Sequence, residues 1–326
     1  MQRIKRMKEI LFSAGIAGAL LLAGFAPAAA QMKPAKDVHI VFVTHGQAND
    51  NYWSVVKNGI KEAVDQLHVK VDYQAPTTFD VVKMGQMIEA ATAAGVDGLV
   101  VTIPDAAALE GPIKAAKAAG IPVIVTDTGL EQVKPWGLDL YIGGGAEYPN
   151  GLNAGHMLGK EGVKKAMCVN HEVGNVSQDE RCRGLADGLK ETGGTVDIVA
   201  VTLDPTEATR RVQAFMTAHP GSDAMVLLGT TLVGPMLDML KEQGMDGKLK
   251  IGVFDLSPEV LDAITDGRIL FGLDNQQVLM GYLPVAVLTA HAMFGTMPTS
   301  DIITGPVLVT KATAASVKNL SQQGYR

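Results

Sequence analysis

Polar side chains follow several predicted β-strands at the points where the strands end. They are Asp127 after 121–126, Asp255 after 249–254, and Asn275 and Gln276 after 269–273. A further polar residue, Arg181, opens a predicted helix. A carboxylate accepts hydrogen bonds from two neighbouring hydroxyl groups, and a guanidinium donates to hydroxyl or ring oxygens. The set therefore indicates a carbohydrate site, whereas each Asp taken alone is most simply a turn or cap residue.

The loop after the first predicted strand, 38–43, adds two adjacent aromatic residues. Asp50 and Asn51 come first, and Tyr52 and Trp53 follow at the start of a helix with apolar residues at helical spacing. Open α/β sheets bind ligands at the carboxyl ends of their strands, and an aromatic face covers the C–H face of a sugar. We expect both aromatic side chains at the ligand. The alternative is that Trp53 packs against the core side of the helix.

Common motifs of catalysis and cofactor binding are absent from the sequence, namely G-x-S-x-G, H-E-x-x-H and G-x-x-x-x-G-K-[ST]. Gly143–Gly145 resembles a dinucleotide loop only weakly, because no G-x-G-x-x-G register is completed and Glu147 follows. His45, His171 and Glu172 are too scattered to predict a metal site. We therefore expect no catalytic residue, no metal and no cofactor.

Residues 1–30 have the pattern of a cleavable signal peptide. Basic residues within 3–8 precede an uncharged apolar run over 10–26, and small residues lead to a cleavage point after Ala30. The run is short for a retained membrane anchor, which needs about 20 apolar residues. No cysteine follows it, so we expect a periplasmic protein that is not a lipoprotein. Cleavage changes the formal charge from −6 to −9, which argues against binding to nucleic acid.

The sequence contains two cysteines, Cys168 and Cys182, on one predicted strand–loop–helix unit. In an oxidising compartment they can form a disulfide, and two buried thiols are the alternative. Neither is expected to be catalytic, because no C-x-x-C motif is present.

The period of hydrophobicity switches repeatedly between buried runs and helical spacing. Such βα alternation predicts parallel sheets, and a second series of strands and helices begins after residue 142. The length of 326 residues with 47% hydrophobic content suits two domains. The fold class predicted from the pattern is α/β, with two doubly wound parallel-sheet domains.

Five segments in this order resemble the periplasmic sugar-binding proteins of the ribose-binding type. They are 49–59, 121–127, 178–185, 217–220 and 253–258. The resemblance covers essentially the whole chain after the signal peptide. It implies two Rossmann-like lobes joined by three crossing strands, a sugar held in the cleft, and delivery to an ABC transporter permease. The implied lobes comprise 31–141 with 275–303 and 142–274 with 304–326, in a monomer.

The resemblance also assigns ligand-binding residues. The aromatic pair of the first loop falls on Tyr52 and Trp53, preceded by Asp50 or Asn51. The other positions fall on Asp127, Thr128, Arg181, Thr230, Asp255, and Asn275 or Gln276. Thr128 stands where the family has an arginine that donates to aldoses, so a polyol or cyclitol becomes an alternative to a sugar.

Other functions share this fold. A receptor for autoinducer-2 or a chemotaxis partner differs only in ligand and docking partner, and a secreted α/β enzyme is a further alternative. A transcription regulator would need an N-terminal helix-turn-helix where this chain has a signal peptide. The mechanism expected for a binding protein is closure of the lobes around the ligand, by rotation near 140–143, 273–276 and 303–307.

Overall fold

The computed structural model describes residues 32–46 and 50–326. The chain divides into two compact units, Met1–Lys33 and Pro34–Arg326, and the fold is that of the second unit. The predicted signal peptide, residues 1–30, lies outside the described residues.

Strands and helices alternate through the first part of this unit, after a short 3-10 turn at Ala35–Asp37. The elements are β1 His39–Val43, α1 Asn51–Leu67, β2 Lys70–Gln74, α2 Val81–Ala93, β3 Gly98–Val101, α3 Ala106–Ala118, β4 Val123–Thr126, α4 Leu130–Val133 and β5 Leu140–Gly143. Strands β3, β4 and β5 are buried along their whole length. Helices cover both faces of such a sheet, so its strands are continuous apolar runs.

The same alternation repeats in the second part. The elements are α5 Glu147–Lys160, β6 Lys165–Asn170, α6 Val176–Lys190, β7 Thr195–Ala200, α7 Pro205–Ala218, β8 Ala224–Leu227, α8 Val233–Glu242, β9 Lys250–Phe254, α9 Pro258–Asp266 and β10 Phe271–Asp274. The last elements are α10 Gln277–Phe294, β11 Ile302–Ile303, β12 Val307–Val309 and α11 Ala314–Gln322.

The strands form two six-stranded sheets, ordered β11-β5-β4-β3-β1-β2 and β12-β10-β9-β8-β6-β7. Among the described strands only β12 is antiparallel to its neighbour, β10. We call the first sheet with α1–α4 and α10 the first lobe, and the second sheet with α5–α9 and α11 the second lobe. The chain passes between the lobes three times, at 144–146, 275–276 and 304–306. The predicted fold class, two doubly wound lobes with three crossings, is confirmed.

The predicted strands 38–43, 121–126, 249–254 and 269–273 agree within two residues at each end with β1, β4, β9 and β10. Gly95 and Gly120 follow α2 and α3 with φ of 63° and 81°, the left-handed conformation expected of a glycine after a helix. The sequence pattern does not predict α4, β11 or α11, which have 4, 2 and 9 residues. With 4 and 2 residues, α4 and β11 contain too few apolar repeats to give a periodic signal.

Helices α5 and α6 pack with their backbones in contact through glycines. A Cβ on Gly151 would lie 2.1 Å from the carbonyl oxygen of Arg181, and a Cβ on Gly184 would lie 2.1 Å from that of Tyr148. Any larger residue would push the two helices apart. This contact fixes the start of α5, at Glu147, against the first turns of α6.

A disulfide joins Cys168 in β6 to Cys182 in α6, with a sequence separation of 14. Both residues are fully buried in the core of the second lobe. The bond links the strand directly to the helix that carries Arg181.

Candidate interlobe binding site

A cavity lies between the two lobes, at the carboxyl ends of their strands. Six residues predicted from the sequence line it: Asp50, Tyr52, Trp53, Asp127, Arg181 and Asp255. Eight others also line it: His45, His171, Glu172, Asn175, Ser177, Gln178, Leu228 and Gly229. Both lobes therefore contribute polar groups to the same cavity.

The first lobe contributes an aromatic wall at the start of α1. The Tyr52 hydroxyl donates to Asp127 Oδ1 at 2.6 Å, and burial raises the pKa of Tyr52 well above its ordinary value, so it remains a neutral donor. Trp53 is only 3% exposed and packs in the core of the first lobe, edge-on to the rings of His45 and Tyr52. Trp53 thus combines the two roles that the sequence left open, since it belongs to the core and also borders the cavity.

Asp127 and Asp255 occupy matching places in the two lobes, each directly after the fourth strand of its sheet in chain order. Both have positive φ, 61° and 72°, a conformation that is uncommon for residues other than glycine. Such strain is tolerated mainly at functional sites, where the surrounding structure holds the residue in place. Burial raises the pKa of Asp255 well above its ordinary value.

Arg181 lies on α6 and forms a buried ion pair with Glu147 at the start of α5. Its Nε donates to Glu147 Oε2 at 2.6 Å and its Nη2 to Glu147 Oε1 at 2.9 Å. The guanidinium also lies 4.7 Å from the centre of the Phe254 ring. Burial opposes the charge of Arg181, but the Glu147 carboxylate outweighs this and raises the pKa of Arg181. The pair presents a fixed donor to the cavity.

Several contacts join the lobes directly across the cavity. His45 Nε2, in the first lobe, lies 3.6 Å from Glu172 Oε2 and 3.3 Å from Asn175 Nδ2 in the second lobe. The backbone N–H of Val176 donates to the carbonyl oxygen of Pro104 at 3.1 Å. These are contacts between opposing walls, so the structure has the cleft closed.

Asp50 caps α1 and also reaches the opposite lobe. Its Oδ1 accepts the Tyr52 backbone N–H at 3.0 Å and lies 3.4 Å from the donating hydroxyl of Thr231. Burial, and next the charge of Glu172, raise the pKa of Asp50 to about 7. The closed cleft therefore favours a protonated Asp50 when no positive charge is nearby.

A model of the periplasmic binding protein domain matches residues 40–296. This covers most of the chain and both lobes. The chain belongs to the periplasmic binding protein family.

Individual family members show how far the similarity extends. The chain is 30% identical to a carbohydrate transporter from Acidothermus cellulolyticus, solved in complex with myo-inositol, with a TM-score of 0.82 and coverage of 89% of this chain and 99% of that one. A solute-binding protein from Burkholderia graminis, solved with D-arabinose, is 26% identical, with a TM-score of 0.77 and coverage of 87% and 99%. A xylose/arabinose-binding protein from Sulfolobus acidocaldarius is 24% identical over 84% of this chain and 71% of its own length.

Five residues predicted for the site of this periplasmic binding protein do not reach the wall of the closed cavity. Asn51 is exposed at the start of α1, and the hydroxyl of buried Thr128 donates to the carbonyl oxygen of Ile103 at 3.3 Å. Thr230 is buried away from the cavity, and its neighbour Thr231 is the residue that faces Asp50. A role for Asn51, Thr128 and Thr230 in binding stays a prediction.

Asn275 and Gln276 lie in a crossing segment rather than at the cavity. Gln276 Nε2 donates to the carbonyl oxygen of Thr304, and the Thr304 hydroxyl donates to the Asn275 carbonyl oxygen at 2.7 Å. Asn275 Oδ1 is buried and has no hydrogen-bond partner among the described residues. In this closed conformation the Gln276 side chain and the Asn275 backbone carbonyl connect two of the crossings to each other.

The sequence treated His45, His171 and Glu172 as too scattered for a metal site, and the absence of a metal stays a prediction, but His171 and Glu172 do lie close to Asp50. Asp50, His171 and Glu172 bring one ligand-type atom each to within 4.8 Å of one another. Asp50 comes from the first lobe and the other two from the second, so only the closure of the lobes brings them together. Sequence spacing cannot reveal a contact of this kind.

Proposed function

We propose that this protein captures a sugar or sugar-like polyol in the interlobe cavity and delivers it to an ABC transporter permease. The observation that carries the proposal is a closed cavity in which carboxylates and a guanidinium from both lobes surround an aromatic wall. Carboxylates accept from hydroxyl groups, the guanidinium of Arg181 donates, and Trp53 and Tyr52 offer apolar surface. The relatives solved with myo-inositol and with D-arabinose support this class of ligand.

Binding and closure are coupled in this proposal. A ligand that touches both Asp127 and Asp255 makes its full set of contacts only when the lobes are closed, so it shifts the equilibrium towards the closed form. The crossings at 144–146, 275–276 and 304–306 are the segments about which the lobes rotate. The lobe boundaries 31–141 with 275–303 and 142–274 with 304–326 stay a prediction, except that the first boundary falls inside β5, Leu140–Gly143, and the crossing after it places that boundary two to five residues later.

The proposal extends to the location, the oligomeric state and the fate of the ligand, and it rests there on the family and on the N-terminal sequence. We place the protein in the periplasm as a monomer, exported by a cleavable signal peptide over 1–30 and without a lipid anchor. It binds its ligand without converting it, and no specific observation favours an autoinducer-2 or chemotaxis receptor. Size-exclusion chromatography with light scattering tests the monomer, and intact mass tests the cleavage after Ala30.

A thermal-shift screen of the purified periplasmic protein tests the function. The panel contains pentoses, hexoses, tetritols, pentitols and inositols, each at millimolar concentration. At least one compound is expected to raise the melting temperature and to be recovered chemically unchanged by NMR after incubation. A panel with no stabilising compound would contradict a sugar or polyol ligand, and a changed compound would indicate an enzyme.

A further inference from the structure

The charges on the cavity wall are strongly unequal. Of the described residues that line the cavity, four are carboxylates: Asp50, Asp127, Glu172 and Asp255. Arg181 is the one lysine or arginine among those lining residues, and its Nε and Nη2 already donate to the carboxylate of Glu147. The charge of Arg181 is therefore balanced before any ligand enters.

The two histidines of the wall do not restore the balance. Burial lowers the pKa of His171 to about 4, so its ring is neutral at pH 7. His45 lies 3.7 Å from Asp127 and 3.6 Å from Glu172, so even a charged imidazole would offset only one of the four carboxylates. Like charges confined in a closed, poorly solvated space repel each other and take up protons unless a cation joins them. Burial, and next the charge of Glu172, raise the pKa of Asp50 to about 7, as expected where buried carboxylates of like charge lie close together.

Two of these carboxylates lie close enough together for one ammonium group to reach both. Asp50 and Glu172 face each other from opposite lobes, with oxygens no more than 4.8 Å apart. An ammonium nitrogen that donates two hydrogen bonds of about 2.8 Å at a tetrahedral angle separates its acceptors by about 4.6 Å. The face of an aromatic ring also attracts a cation, and Tyr52 and Trp53 border the same cavity.

We propose that the ligand carries a protonated amino group on a polyhydroxylated ring, as in an amino sugar or an aminocyclitol, and that this group binds between Asp50 and Glu172. This inference rests on the function proposed above. The hydroxyl groups of the same ring bind Asp127, Asp255 and Arg181. Because the ammonium bridges a carboxylate from each lobe, it stabilises the closed form in a way that a neutral ring cannot.

Calorimetry with matched pairs of compounds tests the charge directly. The pairs are D-glucosamine with D-glucose, D-galactosamine with D-galactose, and an amino-deoxy-inositol with myo-inositol, at pH 6.5 where the amines are protonated. N-acetyl-D-glucosamine provides an uncharged nitrogen. In at least one pair the amine is expected to bind about tenfold tighter than its hydroxyl parent, and the acetylated compound more weakly than the amine.

Three substitutions show whether Asp50 and Glu172 carry the preference. Asp50→Asn and Glu172→Gln remove one charge each, and either is expected to reduce the ratio of amine to parent affinity towards one. Asp80→Asn is the control, because it makes the same change of charge at an exposed cap of α2. The control is expected to keep the ratio of the unsubstituted protein.

The outcomes separate this inference from the proposed function. Neutral parents that bind as tightly as the amines would overturn the inference and leave a sugar- or polyol-binding protein. A panel in which neither amines nor parents bind would contradict the proposed function as well. If chelator-treated protein is stabilised by Zn²⁺ or Ca²⁺ and the amines have no preference, the carboxylates bind a metal ion and the inference is wrong.

Discussion

Arg181 and Glu147 form a two-point ion pair that is buried between α5 and α6, with donor–acceptor distances of 2.6 and 2.9 Å. The pair depends on the glycine contacts that hold these helices together. Removing one partner of a buried pair strands the other charge, which costs about 3–5 kcal/mol. The same ion pair therefore stabilises the second lobe and holds Arg181 in its position at the ligand cavity.

Arg181→Ala is expected to lower the free energy of unfolding by about 3–5 kcal/mol, because Glu147 is left buried without a partner. Adding Glu147→Gln should restore part of this loss, and ligand affinity should stay reduced in both variants. Urea denaturation and calorimetry measure the two quantities. Arg183→Ala is the control, since Arg183 is exposed and its pair with Glu180 is worth at most about 1 kcal/mol. If Arg181→Ala and Arg183→Ala lower the free energy of unfolding and the ligand affinity equally, Arg181 has no greater role than an exposed arginine.

Gly184→Ala is expected to lower the melting temperature and to weaken ligand binding together. The added Cβ would lie 2.1 Å from the carbonyl oxygen of Tyr148, so α5 and α6 must separate and Glu147 must move relative to Arg181. Overpacking of this kind costs about 1–3 kcal/mol. Gly111→Ala in α3 has no atom within 4 Å of its new Cβ and should be neutral or slightly stabilising. If Gly184→Ala binds the ligand with unchanged affinity, the position of Arg181 does not depend on close contact between α5 and α6.

How much of the site could be predicted depends on where each residue's partner lies. Asp127 and Asp255 were found because each follows a buried strand, and strand ends meet at one edge of a sheet. Arg181 was found at the start of a predicted helix and again through the family resemblance, but its partner Glu147 was not found, because the pairing depends on a helix contact between glycines. The local signals were sufficient for the strands and for most helices, and insufficient for side-chain partners.

Residues that meet only across the cleft were the hardest to predict. His45, Glu172 and Asn175 belong to different lobes, and closure brings them within 3.3–3.6 Å. The pattern of apolar and polar residues predicts how a single strand or helix packs. It does not predict which residues of one lobe will face which residues of the other. A polar run after the strand that ends at Asn170 was the available signal, since loops at strand ends are where ligands bind.

The pH dependence of stability tests the environment of Asp50. Its pKa is about 7 in the folded protein and near its ordinary value when unfolded, so the folded state holds a proton that the unfolded chain has released. This contribution therefore lowers stability as the pH rises from about 4 to about 7. Asp50→Asn removes it, so the variant should gain about 1–3 kcal/mol relative to the unsubstituted protein across that range. If the difference in stability between Asp50→Asn and the unsubstituted protein does not change with pH, the pKa of Asp50 is not raised and Glu172 and Asp127 do not lie close to it.

Fluorescence tests the position of Trp53. A ligand in the cavity is expected to change the emission of Trp53, and the change should persist in Trp136→Phe. Trp53→Ala should abolish the change, and because Trp53 is also a core residue it should lower stability by about 3–5 kcal/mol. Affinity should fall by about 1–3 kcal/mol. A signal that disappears in Trp136→Phe and survives without Trp53 would place the ligand elsewhere.

The disulfide is expected to be structural. Replacing both Cys168 and Cys182 with alanine removes a cross-link over a separation of 14 residues and should lower the free energy of unfolding by about 3 kcal/mol. Affinity should change less than stability, because neither residue lines the cavity. Mass spectrometry of periplasmic protein after alkylation counts the thiols, and two free thiols would contradict the pairing.

The central claim is that one ligand binds both lobes at once, and titration calorimetry of two single variants tests it most directly. Asp127→Ala alters the first lobe and Asp255→Ala the second, and the probe is the tightest-binding compound of the sugar and polyol panel. Both variants are expected to lose about 2–4 kcal/mol of binding free energy, since each leaves ligand hydroxyl groups without an acceptor in a closed cavity. If either variant binds that compound with the affinity of the unsubstituted protein, the ligand contacts one lobe only and the account is wrong.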